Sequence, residues 1–199
     1  MDEKPVAIVT GGATGIGAAC CRALAGVGFR VGLHYRSSAK AAEALSDEIG
    51  DSFLLQADLA RIEEIEALTA RIKEKAGRVD VLVNNAGMSI NADIHSMSVE
   101  QFDAQRALTR GTWYLTKRIL RLFMLRRGSG RIINITSVVG HMGNAGQIPY
   151  TMEKAALDAF TKSLARELTG RDILVNAVAP GFIDTEMTAV LPEQIKAQI

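Results

Sequence analysis

Ser137, Tyr150 and Lys154 place a hydroxyl, a phenol and an ammonium within one stretch, 137–154. Tyr150 and Lys154 are four residues apart, so on a helix they sit one above the other on the same face. Ser137 follows an apolar run, 131–136, that reads as a buried strand, and a glycine-rich loop leads from it into a helix at Pro149. Ligands bind at strand ends in open α/β sheets, so the three groups can meet at one point. A free phenol has a pKa of roughly 10 and releases its proton reluctantly at neutral pH; a nearby ammonium favours the phenolate. Such a set suits general acid–base work with a hydroxyl to fix the reacting oxygen. Taken singly, each residue has an ordinary reading as strand end, packing residue or solvated charge.

The elements that must position them alternate. Apolar runs at 6–10, 30–35, 53–56, 79–84, 131–136 and 173–178 read as six strands. Helical patterns occupy 15–26, 38–49, 62–75, 99–127 and 150–168, with Ser38 as a cap for the second and a short helix leading into a long one in the fourth. Strand–helix alternation with near-continuous apolar strands predicts an α/β fold, a parallel sheet covered on both faces. No linker or repeat divides the chain, so 1–199 is expected to be a single domain.

Composition narrows the class. A net charge of +1 gives no electrostatic footprint for nucleic acid, and no apolar run is long enough to span a membrane. The N-terminus carries no signal-peptide pattern. Cys20 and Cys21 are neighbours on a predicted helix and point apart, so they are expected to stay reduced, as in a cytoplasmic protein.

Thr10-Gly11-Gly12-Ala13-Thr14-Gly15-Ile16-Gly17 lies between the first strand and the first helix. Its glycines let backbone approach a pyrophosphate, whose charge the helix N-terminus favours. At the end of the second strand, Tyr35-Arg36-Ser37-Ser38 stands where a carboxylate would select NAD by its ribose hydroxyls. An arginine and hydroxyls suit a 2′-phosphate, so NADP(H) is favoured, with NAD(H) possible; a solvated surface arginine is the bland reading. Asp58, before Leu59, either accepts from an adenine amino group or caps the next helix. Asn84-Asn85-Ala86-Gly87 closes the fourth strand beside the glycine loop.

Together with Pro180-Gly181, this set resembles the short-chain dehydrogenase/reductase family over essentially the whole chain. The resemblance implies a Rossmann-type doubly wound sheet, three layers α/β/α. Within the family, 138–147 and 179–188 are similar to 3-oxoacyl-[acyl-carrier-protein] reductases and, in part, to acetoacetyl-CoA reductases. It implies a nicotinamide held by Gly11, Thr14, Gly15, Ile16, Gly17, Tyr35, Arg36 and Ser37, by Asp58, Leu59, Asn85, Ala86 and Gly87, and by Pro180, Gly181, Ile183 and Thr185. Tyr150 would protonate the developing alkoxide, Lys154 would lower its pKa and hold the ribose, and Ser137 would hold the carbonyl oxygen. The implied substrate is an acyl thioester carried on acyl-carrier protein, and the implied assembly is a homotetramer.

Two departures stand out. The family often has an asparagine in the helix before the fifth strand, where it holds a water in a proton relay. Counting from Phe102 puts that position at Thr109, and counting back from Lys117 puts it at Leu108. The relay is therefore expected to be altered and turnover slow. Family members also usually run some tens of residues beyond 199, which implies that the last strand is missing and that 182–199 begins a substrate lid. A catalytically weak NADP-binding subunit is the rival class. Thr14 stands where related NADP enzymes often carry an arginine.

Overall fold

The computed structural model describes residues 4–185. Six parallel strands form one sheet in the order β3-β2-β1-β4-β5-β6. They are β1 (Val6–Val9), β2 (Arg30–Tyr35), β3 (Ser52–Gln56), β4 (Val81–Asn84), β5 (Ser129–Ile135) and β6 (Asp172–Val178). The helices are α1 (Gly15–Gly26), α2 (Ala39–Ile49), α3 (Ile62–Ala76), α4 (Val99–Ile119), α5 (Leu125–Arg127), α6 (Val139–Met142) and α7 (Ile148–Glu167). The expected α/β sheet is therefore present. The expected missing strand and the segment 186–199 lie outside the described residues.

Burial on both faces explains the apolar strands. Along β1, Val6 and Ile8 join one core and Ala7 and Val9 the other. The first core takes Ile65, Leu68 and Ile72 from α3, Leu115 and Ile119 from α4, and Leu164 from α7. The second takes Ala18 and Cys21 from α1 and Ala42 and Leu45 from α2. Because β1 lies between β2 and β4, the chain order reverses there, and a crevice opens at the carboxyl ends of these strands.

Local chemistry sets the helix ends. Ser98 and Gln101 form a capping box at the start of α4, and Gly77 ends α3 in the left-handed region at φ 67°. Ser38 does precede α2, but its side chain makes no capping bond. The region 99–127 is one rod rather than a short helix followed by a long one. It passes from α4 through a π turn, Leu120–Met124, into α5, with the Leu125 N–H bonded to the Leu120 carbonyl. Successive residues Phe123 and Met124 are both buried there. A short α6 occupies what reads in the sequence as loop.

A buried polar ladder ties the sheet to two helices. Asn84 Nδ2 donates to Asn134 Oδ1 at 2.8 Å and to Thr116 Oγ1 of α4 at 2.9 Å. Asn134 Nδ2 donates to Thr161 Oγ1 of α7 at 2.8 Å. Both threonines then donate into their own helices, to Thr112 O and Leu157 O. Asn134→Ala removes one buried partner from the Asn84 amide and one from the Thr161 hydroxyl, which keep only their bonds to Thr116 and Leu157 O. It is expected to lower stability by about 2–3 kcal/mol, read as a shift in the urea midpoint at unchanged m-value.

Candidate active site

The loop 10–17 is held from three sides. Thr10 Oγ1 accepts from the N–H groups of Asn85 (2.9 Å) and Ala86 (3.0 Å). Asn85 Nδ2 donates to the carbonyls of Thr10 and Gly11 at 2.9 and 3.0 Å. A Cβ on Gly17 would lie 2.1 Å from Gly11 O and 2.5 Å from Asn85 Nδ2, so only glycine lets the start of α1 sit this close. The third side is His34, which the sequence reading did not single out. Its Nδ1 accepts from the Gly11 N–H at 3.1 Å, and its Nε2 lies 3.0 Å from Ala57 O. A carbonyl can only accept, so the proton sits on Nε2. Burial pushes the ring's pKa down to about 4, which keeps it neutral and Nδ1 free to accept. The only sequence signal was a histidine inside an apolar strand.

A cavity of about 350 Å³ runs along the carboxyl edge of the sheet. Tyr35, Arg36 and Ser37 line one end, with Asp58 and Leu59 beside them. Gly11, Thr14, Gly15 and Ile16 line the middle, facing Asn85, Ala86 and Gly87. Ser137, Tyr150 and Lys154 line the far end, and Pro180, Gly181, Ile183 and Thr185 lie along its side. Gly17 does not line it; its role is the close packing just described. Asp58 lines the cavity but does not cap α3 directly. Its Oδ1 accepts from the Ala60 N–H at 2.9 Å, and the helix cap position belongs to Arg61.

The shape fits an extended dinucleotide. Gly15 has φ 52°, and a Cβ there would press on Thr185 Cγ2 at 3.3 Å, so the floor must be glycine. The twelve-residue α1 starts at this point and presents its N-terminal N–H groups to an anion.

At the far end, Lys154 is buried at 9% exposure and its Nζ donates to Ile135 O at 2.7 Å. The Nζ lies 5.6 Å from the centre of the Tyr150 ring. Ser137 Oγ accepts from the Val139 N–H at 3.4 Å, and its hydroxyl neighbours the Tyr150 phenol. Burial raises the Tyr150 pKa, and the neighbouring Ser137 hydroxyl only partly opposes this. In this ligand-free structure burial is the larger influence on the phenol, and the Lys154 ammonium donates to a backbone carbonyl. The phenol stays protonated, ready to donate. Burial also lowers Lys154 to about 8, against an opposing pull from Asp158 one turn on. Asp158 is itself buried, with Oδ2 3.2 Å from His141 Nε2 but without hydrogen-bond geometry.

Leu108, not Thr109, lines the large cavity with Tyr150 and Lys154. That lining position of the large cavity therefore carries no polar side-chain atom, while Thr109 lines a second, small cavity with Tyr150 and Lys154. Cys20 and Cys21 are both free thiols, as expected. No described helix is long and apolar enough to cross a membrane.

The sequence profile of short chain dehydrogenases matches residues 5–196. This chain belongs to the short-chain dehydrogenase/reductase family. As such it is a nicotinamide-dependent oxidoreductase. It is 45% identical over 188 residues to a 3-oxoacyl-[acyl-carrier-protein] reductase of Synechocystis sp., covering 92% of this chain and 76% of that protein. A reductase of the same description from Staphylococcus aureus is 40% identical over 204 residues, covering 100% of this chain and 82% of its own length. Among solved structures, a single-substitution variant of an actinorhodin polyketide ketoreductase with NADPH superposes with a TM-score of 0.92 at 36% identity, over 98% of this chain and 77% of that one.

Lys154 gives this reductase-family fold a testable cost. Below about pH 8 the folded protein carries a buried ammonium; between about 8 and 10.5 the folded state has shed that proton and the unfolded chain has not, so stability rises with pH. Lys154→Met is expected to raise ligand-free stability by about 1–2 kcal/mol at neutral pH, and the gain should fade across that alkaline window. Urea titrations at several pH values, alongside an activity assay that should read zero, check both halves.

Proposed function

We propose that this chain reduces a 3-oxoacyl thioester, carried on acyl-carrier protein, to the 3-hydroxyacyl thioester with NADPH. The observation that carries the reading is one cleft with Arg36 at one end and Ser137, Tyr150 and Lys154 at the other. The reductases that share 40–45% identity with it over most of its length support the same reaction.

NADPH, when bound, supplies the hydride. The chain's residues do the rest. The N–H groups at the start of α1 and the loop 11–16 hold the pyrophosphate. Arg36 and Ser37 receive the 2′-phosphate, Asp58 and Leu59 flank the adenine, and Asn85, Ala86 and Gly87 back the ribose. Pro180, Gly181, Ile183 and Thr185 hold the nicotinamide end. Ser137 orients the ketone oxygen. Tyr150 gives its proton to that oxygen as negative charge develops. Lys154 holds the nicotinamide ribose and offsets the phenolate that Tyr150 becomes.

The reading includes a single NADP(H)-binding Rossmann domain over 1–199 with 182–199 as the start of a substrate lid, a homotetramer, and a place in cytoplasmic fatty-acid synthesis. A second reading, a weak NADP-binding subunit, has one observation in its favour, the apolar Leu108 beside Tyr150 and Lys154.

Following NADPH absorbance with acetoacetyl groups on acyl-carrier protein and on CoA separates the readings. The carrier-protein thioester should give the higher kcat/KM; equal or reversed values point to an acyl-CoA reductase, and tight NADPH binding without turnover points to the subunit. Arg36→Leu is expected to raise KM for NADPH about tenfold, the loss of one charge-assisted phosphate contact, while leaving KM for NADH unchanged. An equal loss with both cofactors would place Arg36 outside the phosphate site.

A further inference from the structure

We propose that His141 and Asp158 form a latch that holds α6, and with it Ser137, against the helix that carries Tyr150 and Lys154, and that the latch is tightest with the imidazole protonated. Both are positioning residues. Their effect on turnover rests on the reductase reading above; the latch itself does not.

The short α6 stands between the two halves of the reacting set. Ser137 lies two residues before its start, and the loop 143–147 leads from its end into α7. The Val139 N–H donates to Ser137 Oγ at 3.4 Å, and the Gly140 N–H donates to Ser137 O at 3.0 Å. The placement of Ser137 thus depends on where α6 sits. α6 meets α7 backbone to backbone: a Cβ on Gly140 would lie 3.1 Å from both Lys154 C and Ala155 N. One turn further along α7, His141 Nε2 comes within 3.2 Å of Asp158 Oδ2.

Asp158 needs that partner. Its side chain is 11% exposed, against 55% for His141. Its Oδ2 is enclosed and has no hydrogen-bond donor among the described residues. A buried carboxylate oxygen without a donor is costly, and a small rotation of the imidazole supplies one. The surrounding charges are committed elsewhere. On α7 itself, Lys154 donates to Ile135 O, and Lys162 is exposed. Glu153 takes Arg106 of α4 at 3.8 Å. β5 and β6 carry one charged residue each, Arg131 and Asp172, and these pair with each other at 2.9 Å. His141 is the one titratable group of α6.

Imidazole changes charge between about pH 5 and 8. As an imidazolium, His141 brings Asp158 a positive charge and a donor on each ring nitrogen. As a neutral ring it loses the charge, and Nε2 carries a proton in one tautomer only. The latch therefore contributes at the acid end of this range and is lost as pH rises through it. No residue of α6 lines the dinucleotide cleft. The latch acts on the ketone end, through Ser137, and leaves cofactor binding alone.

The test follows kcat/KM for a 3-oxoacyl thioester at saturating NADPH, at about pH 6 and about pH 8.5, the two sides of the imidazole range. His141→Gln keeps polarity and loses the cation. It should fall about threefold below wild type at the lower pH and match it at the higher, with Kd for NADPH unchanged at both. His141→Lys keeps a cation throughout; it should match wild type at the lower pH and exceed it at the higher. A His141→Gln deficit of equal size at both pH values, the mark of a structural role, overturns the proposal, as does no deficit at all. A readout without turnover uses the melting temperatures of His141→Gln, Asp158→Asn and the double variant. Asp158 also pulls on Lys154, a contribution that the cycle cancels. The two effects should be non-additive at the lower pH and additive at the higher; additivity at both overturns the latch. Absence of turnover by wild-type protein would instead sink the reductase reading, and the melting-temperature cycle would still decide the latch.

Discussion

The hydrogen bond between Asn84 and Asn134 joins the carboxyl ends of two adjacent strands in the middle of the sheet. Both amides are buried, and unpaired amides in that position would be costly. Each uses its remaining reach to hold one helix, Asn84 taking Thr116 and Asn134 taking Thr161. The helix that carries Leu108 and the helix that carries Tyr150 and Lys154 are thereby set against the same two strands. Apolar packing alone is non-directional and would allow these helices to slide. The amide ladder gives them a register.

A second lock sits on the other side of β1. Thr10, Asn85 and His34 together fix the backbone of the glycine loop through donors and acceptors that do not depend on a bound ligand. The cradle for a dinucleotide is therefore preorganised, which spares ordering entropy on binding. The site end is preorganised too, at a cost. Lys154 is kept in a position where water would otherwise solvate it, tied to a main-chain carbonyl. This is the usual pattern in which a functional group sits at odds with its environment and the surrounding fold compensates.

Much of this was readable from residue order. The six strands followed from short apolar runs with glycine punctuation, and the grouping of Ser137, Tyr150 and Lys154 followed from a strand end and a helical spacing of four. What was not readable depended on tertiary placement. His34 looked like any polar residue in a strand until β2 was set beside the glycine loop. Leu108 and Thr109 differ by about 100° around a helix, and only the packed orientation of α4 decides which faces the cavity. The direction of the Tyr150 pKa turned on burial, with the Ser137 hydroxyl only partly opposing it, and sequence carries the residue types but not the burial. Of the two readings of Asp58, helix capping gives way to a turn closed ahead of the helix, and its side chain lines the cavity, where the adenine reading belongs to the proposed function.

The π turn at Leu120–Met124 has a bearing on how this helix can change over time. A wider turn accommodates one residue more than an α-helical path would, while the backbone on either side stays helical. In this rod it lies between α4, which borders the cleft, and the short α5, and it carries the core residues Phe123 and Met124 itself. The two halves are thus mechanically decoupled in phase. A one-residue insertion or deletion absorbed at the turn leaves the cleft-facing residues in place, so the lineage has a point at which helix length can drift without rewriting either surface.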